Sequence, residues 1–391
     1  MPGCGTVERV SPPRRFGRRW LLVGAGATAL LAAGSADRWL PVSEASGPGS
    51  DPARLRDAVL SGVVPHTGVA SSAGGLGLPD IPNLETTAAL LSTTTRIRVQ
   101  VAAADRWRID QLTPVGEIDA YRAGDTEYVW DYGFTRLTTV RPIPPVRLPR
   151  ASDLAPADLA RRLLGITVAD PVVALPPRRI AGYDAPGLRV SPSDPDTTIS
   201  RIDVWALPVA GGALPLALRV GARGVPDSAA PVVDTEFETV DLGAPPDSAI
   251  RPTAPPGAER VVAQPGDLAA VLRGLDAPPP PDTLAGRPRV DLPVDESFGV
   301  LPGVAVYGNG IGRFVLVPAG RDVARQIIAS AGSAGGGPIL GFPPDRAVRV
   351  ATPALSVVVM RRRRGGYLLA GTVAPHVLEL GATRLLNEVR P

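Results

Sequence analysis

Residues 95–112 read TRIRVQVAAADRWRIDQL, and this stretch decides the fold. Ile97, Val99 and Val101 alternate with Arg96, Arg98 and Gln100; after Ala102 to Asp105, Trp107 and Ile109 alternate with Arg108 and Asp110. A period of two puts the apolar set on one face of a strand and the charged set on the other. The stretch therefore predicts an antiparallel hairpin with one buried face. Gly116, Gly124 and Gly133 punctuate three further candidate strands carrying Ile118, Tyr128, Trp130, Phe134 and Leu137. Strands resume around Ile180–Val190, Ile199–Ala206, Leu214–Ala222 and Val233–Leu242. In the third of these, Leu214, Leu216, Leu218 and Val220 form one apolar face, while Pro215, lacking an N–H, points to an edge or to the first residues of a strand.

Helices interrupt the meander. Leu55, Val59 and Val63 share a stripe over Arg54–Val64, and Asp153–Leu164 has Pro156 near its first turn and Leu159 and Leu163 one turn apart. After Pro255-Pro256-Gly257 comes a short helix candidate over Asp267–Leu275, then Pro278 to Pro281, a stiff spacer. The last part has strands over Phe314–Val317, Leu355–Met360 and Tyr367–Val373 and a closing helix over Pro375–Val389. The division is a leader over 1–36, a Ser/Gly/Pro-rich spacer over 37–50, a first domain over 51–262, a Pro-rich linker over 263–297 and a small α+β domain over 298–391.

The leader is read from Arg14, Arg15, Arg18 and Arg19 ahead of an apolar run from Trp20 to Ala33, then Gly34, Ser35 and Ala36. This is the charged, apolar and small-residue order of a secretory signal. Cleavage after Ala36 and retention as an anchor both place the rest of the chain outside the cytoplasmic membrane. Arg18-Arg19 also has the form of a twin-arginine signal, against an ordinary basic flank. Cys4 is the only cysteine and precedes the apolar run, so the exported part has no disulfide framework and no lipid-bearing cysteine.

Composition narrows the chemistry. The 391 residues are 44% hydrophobic and 20% charged, enough apolar surface for real cores, while 43 Gly and 45 Pro favour strands and turns. The formal net charge is +3 without a basic stripe interleaved with aromatics, which speaks against nucleic acid. The two histidines, His66 and His376, lie far apart with no cysteine to join them, so no zinc site and no cofactor is expected. No Gly-x-Ser-x-Gly elbow is present, and an enzyme is not expected. Gly308-Asn309-Gly310-Ile311-Gly312 lacks the Lys-Ser/Thr of a phosphate loop and reads as a hairpin turn. Asp194 and Asp196 flank Pro195, as a turn or, less simply, a calcium loop. Arg361, Arg362, Arg363 and Arg364 stand at a hairpin tip, either as a solvated turn or as a contact for an acidic partner or anionic headgroups.

The large side chains on the strands can fill a core or line a cavity. Trp107, Tyr128, Trp130, Leu216, Leu218 and Phe237 are the candidate ligand-binding residues, because a curved sheet incompletely closed by helices leaves an apolar space suited to acyl chains. The order of elements resembles the LolA/LolB-type lipoprotein carriers and, more closely, the sigma-E regulatory proteins of the RseB/MucB family. The resemblance is carried by Leu76-Gly77-Leu78-Pro79, the hairpin around Arg106-Trp107-Arg108, Tyr121 to Asp131, and the Tyr367–Val373 strand with its helix. It implies an α+β protein: an antiparallel half-barrel with a helical lid, followed by a smaller domain. It further implies lipid or lipoprotein acyl chains as ligands and, for the regulatory family, the extracytoplasmic domain of a transmembrane anti-sigma factor as partner. A lipoprotein carrier and a structural module of the cell envelope are the alternatives.

Overall fold

The computed structural model describes residues 51–75, 90, 92–113, 116–141, 143, 149–263, 274–275, 277–290, 302–334, 336–363 and 365–387. The leader, the spacer up to Ser50, Leu76-Gly77-Leu78-Pro79, most of Asp267–Leu275, and Arg364 lie outside the described residues.

The chain starts with helix α1 (Pro52–Leu60), where the Asp51 side chain accepts from the Ala53 backbone N–H at 2.9 Å and Pro52 supplies the pre-set first turn. Two antiparallel meanders follow. The first is β1 (His66–Gly74), β2 (Thr94–Ala103), β3 (Arg106–Thr113), β4 (Gly116–Ala123), β5 (Thr126–Asp131) and β6 (Arg136–Val140). The second is β7 (Val172–Ile180), β8 (Tyr183–Val190), β9 (Ile199–Val209), β10 (Gly212–Ala222) and β11 (Val233–Leu242). Pairing of β1 with β11 joins them into one sheet, to which β12 (Glu259–Ala263) adds a parallel strand beside β6. The order is β12-β6-β5-β4-β3-β2-β1-β11-β10-β9-β8-β7, and the sheet is open.

Between the meanders a 3-10 turn (Ala151–Leu154) and helix α2 (Pro156–Ile166) cross one face of the sheet. Leu55 and Val59 of α1 and Leu159, Ala160, Leu163 and Leu164 of α2 pack there on Ile97, Val99, Leu216, Leu218 and Phe237. At Gly68, opposite Val99, a Cβ would stand 2.3 Å from the Thr239 carbonyl oxygen, so only glycine lets the β11 backbone come this close to β1, with the Phe237 ring packed tightly beside it.

Several sequence expectations shift by local chemistry. The stretch Ile180–Val190 spans the turn between two strands, with Ala181 and Gly182 both at positive φ. Pro215 is not on an edge: β10 lies between β9 and β11. The register shifts between Pro215 and Ala217, and β11 pairs with β10 only over Ala217–Val220, so proline occupies a strand end that β11 does not reach.

The second sheet contains β13 (Thr283–Leu284), β14 (Arg287–Val290), β15 (Ala305–Tyr307), β16 (Phe314–Ala319), β17 (Gly337–Pro338), β18 (Ala347–Ala351), β19 (Ser356–Arg361) and β20 (Gly366–Gly371). A single helical turn, α3 (Asp247–Ile250), precedes it in the chain. Its order is β13-β14-β15-β16-β20-β19-β18-β17, so pairing begins within the stretch read from sequence as linker. Helix α4 (Arg321–Ser330) packs through Ala324 and Ile327 on Val315, Val317 and Leu368, whereas α5 (Pro375–Asn387) packs through Val377, Leu378 and Leu385 on Leu316, Met360 and Leu369. The helices cover opposite faces. The glycine-rich 308–312 stretch is the hairpin turn between antiparallel β15 and β16.

The two sheets meet at one seam. Thr197 bridges to Val373, the Thr198 N–H donates to the Thr372 carbonyl at 2.9 Å, and Arg287 pairs with Asp194 at 2.6 Å. Ile311, Ala354 and Leu355 from the second part join the core of the first.

Candidate functional site: a cavity between the first sheet and its helix

The cavity of interest lies where α2 and the 3-10 turn fail to meet the sheet completely. It is a partly open space of about 230 Å³, and its walls include Val63, Val101, Trp107, Ile109 and Ala157, with Ser152 and His66 beside them. Arg122, Glu127, Asp158, Arg161 and Arg162 also line it. Strand register explains the wall: His66 faces Val101, Val101 faces Trp107, and Trp107 faces Arg122, so these side chains project from the same surface.

Polar groups around the cavity are mostly held in ion pairs. Glu127 accepts from Arg150 at 2.7 Å, and Arg162 bridges Asp153 at 2.9 Å and Asp158 at 2.6 Å. His66 differs. Its ring is 2% exposed, its Nδ1 lies 2.8 Å from the Val64 carbonyl oxygen, and its edge meets the Phe237 ring at 5.5 Å. Burial, reinforced by the positive charge of Arg161, holds its pKa below the ordinary imidazole value despite the Val64 contact.

The sequence-named residues divide by face. Trp107 lines the cavity. Phe237 stands beside His66, and Leu216 and Leu218, fully buried, form the packed floor under the helices. Tyr128 and Trp130 project from the other face, where Trp130 packs with Tyr121, Leu137 and Ala258 and Tyr128 packs against that group. At the far hairpin, Arg361 pairs with Asp345 at 2.5 Å, Arg362 donates to the Tyr367 hydroxyl at 3.1 Å, and Arg363 is exposed. Sequence reasoning did not assign His66 and Ser152 to this wall. Only strand register and the 3-10 turn ahead of α2 bring them together.

The opposite face carries a charge network that sequence reasoning also missed, although Arg98, Arg108 and Asp110 were read on one side of the hairpin. Arg98 donates to Asp110 at 2.9 Å and Glu117 at 3.1 Å, while Arg108 donates to Asp110 at 2.6 Å and Asp119 at 3.0 Å. Burial, then the neighbouring Asp110 charge, pushes the Asp119 pKa up to about 7. Oxygen atoms of Asp110, Glu117 and Asp119 lie within 4.8 Å of one another, but the two guanidinium groups already supply the cations that such a cluster requires. Asp194 and Asp196 form a turn, with the Asp196 N–H donating to Asp194 at 2.9 Å, and both face Arg287.

These features define an α+β architecture: an open antiparallel sheet with helices over one face, a cavity beneath them, and a smaller sheet docked at one seam. No protein-family model and no curated protein matches the sequence. Among solved structures the chain is similar to the MucA/MucB complex of Pseudomonas aeruginosa, at 16% identity over 84% of this chain and 94% of that one, with a TM-score of 0.43. It is similar to a crystal structure of MucB at 16% identity, 86% and 98% coverage and a TM-score of 0.41. A putative outer membrane lipoprotein-sorting protein domain from Vibrio parahaemolyticus aligns at 11% identity, 50% and 92% coverage and a TM-score of 0.21.

Proposed function

We propose that the chain is an exported, non-enzymatic binding protein that takes an apolar chain of a lipid or lipoprotein into the cavity beneath α2. The observation that carries this reading is the cavity itself: about 230 Å³ of space with Val63, Val101, Trp107, Ile109 and Ala157 on its apolar side and charged side chains, Arg122, Glu127, Asp158, Arg161 and Arg162, on the other. Water gains little from the apolar side, whereas a hydrocarbon segment buries its own apolar surface against it and leaves the charged side to a polar head. The volume lies below the roughly 300–1,000 Å³ of drug-sized ligand pockets, so a whole acyl chain requires the helices to move outward.

A regulatory role follows from the sequence resemblance to the sigma-E regulatory family. In this reading, occupancy changes how the second sheet sits at the Thr197–Val373 seam and thereby its contact with a transmembrane anti-sigma factor outside the membrane, with Arg361, Arg362 and Arg363 as contact residues. Such coupling requires the ligand to bind the two arrangements with different affinity. Native mass spectrometry with lipid extraction tests the cavity. An acyl-chain ligand is expected to co-purify with the wild-type chain and to be lost in Trp107→Asp. A folded protein that is empty and takes up no lipid overturns the reading.

A further inference from the structure

We propose that the cavity selects an amphiphile whose polar head is a hydroxyl, which donates its hydrogen to Nε2 of His66. The proposal rests on the reading of the cavity as an apolar-chain site and adds what the head of that chain must be. Nδ1 of His66 lies 2.8 Å from the Val64 carbonyl oxygen, a contact that is a hydrogen bond only when Nδ1 carries the proton. In the neutral ring Nε2 is then a bare acceptor, and it has no partner among the described residues. Ser152 lines the same cavity, and its hydroxyl, closed to solvent as Nε2 is, also has none. Buried polar atoms are paired in the great majority of folded proteins, so two orphans on residues lining one cavity mark a place where a group admitted by the outward movement of α2 completes the bonding.

The chemistry of that group follows from the acceptor. An alcohol gives its hydrogen to Nε2 and receives one from Ser152, while its tail runs along Trp107 and Ile109. A carboxylate has no hydrogen to offer, and its lone pairs would oppose the imidazole's. The arginines that line the cavity, Arg122, Arg161 and Arg162, offer it ionic partners that Nε2 is not. An ether of the same length fills the space but leaves Nε2 unpaired. Burial and the charge of Arg161 both disfavour protonation of His66, which keeps the acceptor open at neutral pH.

Calorimetric titration of the full chain at pH 7 with 1-octanol, 1-methoxyoctane and sodium octanoate tests this. The alcohol is expected to bind about tenfold more tightly than either of the others, the size of one hydrogen bond. In His66→Phe the three should fall within about twofold of each other, and in Ser152→Ala the preference should shrink while binding persists. If the wild-type chain binds alcohol and ether equally, a water molecule and not the ligand meets Nε2, and the proposal is overturned. A preference that survives unchanged in His66→Phe overturns it too, and should that variant not fold, Ser152→Ala and the wild-type ratio decide. If none of the three binds, it is the apolar-chain reading that fails first.

Discussion

The first sheet is covered by helices on one face and the second on both, and the difference is recorded where the first sheet is open behind, in β2, though not in β9 and β10, which are buried almost throughout. In β2 the burial alternates along the strand, with Thr95, Ile97, Val99 and Val101 inside and Arg96 fully outside. In β16 and β20 every residue is buried. A one-sided sheet must be closed by helices that span its width, and α1 and α2 do so incompletely over β2 and β3, leaving the cavity. In the second sheet each apolar face has its own helix, and Val315 and Leu316, neighbours in sequence, belong to different cores. The cavity thus comes from a mismatch between a wide sheet and two short helices, with no special residue type needed to create it.

The strongest way to break this comparison is a pair of adjacent truncations. Leu368→Ala and Leu369→Ala remove side chains facing α4 and α5 respectively, and each is expected to cost about 2–5 kcal/mol of unfolding free energy in urea. In the first sheet the corresponding pair is unequal. Ile97→Ala should cost a similar amount, whereas Arg96→Ala, whose partner is the partly exposed Glu238, should change stability by less than about 1 kcal/mol. Equal costs at 96 and 97, or a negligible cost at 368 or 369, would contradict the assignment of faces.

The outer surface of the first sheet offers the next effect, because its charges are packed as an open face seldom packs them. The Asp119 carboxyl has a pKa of about 7 when folded and close to 4 when unfolded. Between those values the folded chain binds more protons, so this group's contribution favours folding at low pH and is lost as pH rises toward 7. Arg98, Arg108, Asp110, Glu117 and Tyr121 surround it, and the Asp110 pKa is raised as well, so the slope is shared. Asp119→Asn should flatten the decline by up to about 1.4 kcal/mol per pH unit, read from urea midpoints across pH 4–8. An unchanged slope would show that Asp119 does not carry the proton.

What the sequence disclosed follows the same division. The 95–112 hairpin was legible because one-sided burial writes itself as alternation, and Phe314–Val317 and Tyr367–Val373 because two-sided burial writes itself as an unbroken apolar run. Strand β7 was hidden by Pro176 and Pro177, which an edge strand tolerates at a bulge between Leu175 and Arg178. Strand β1, HTGVASSAG, was hidden by side chains too small to form a pattern. For the site, Trp107 could be named, but its face relative to Tyr128 and Trp130 could not. Register pairs Asp119 with Trp130 and Ile118 with Asp131, so Trp130 shares a face with the charges and not with the cavity. A shift of one residue would reverse that, and nothing local in the sequence fixes it.

The seam between the sheets gives the smallest effect and the sharpest test of how the two regions communicate. Burial alone would raise the Asp194 pKa, but hydrogen bonds from Arg287 and the Asp196 N–H outweigh it and hold the carboxyl below its ordinary value. A depressed carboxyl favours folding above its unfolded pKa of about 4, and the benefit is lost as pH falls through the folded value. Arg287→Ala removes the pair and should cost about 1–2 kcal/mol at neutral pH, a modest figure because Asp194 is partly open to solvent. The deficit should start to narrow as pH falls below about 4 and vanish only once pH has passed the depressed folded value, where the partner carboxyl is neutral in both states. If the seam transmits occupancy, the same variant should leave the affinity for 1-octanol within about twofold while weakening any ligand-dependent contact made by the second sheet. A change in alcohol affinity as large as that of His66→Phe would instead mean that cavity and seam share one packing unit, and that the two sheets do not behave as separate regions.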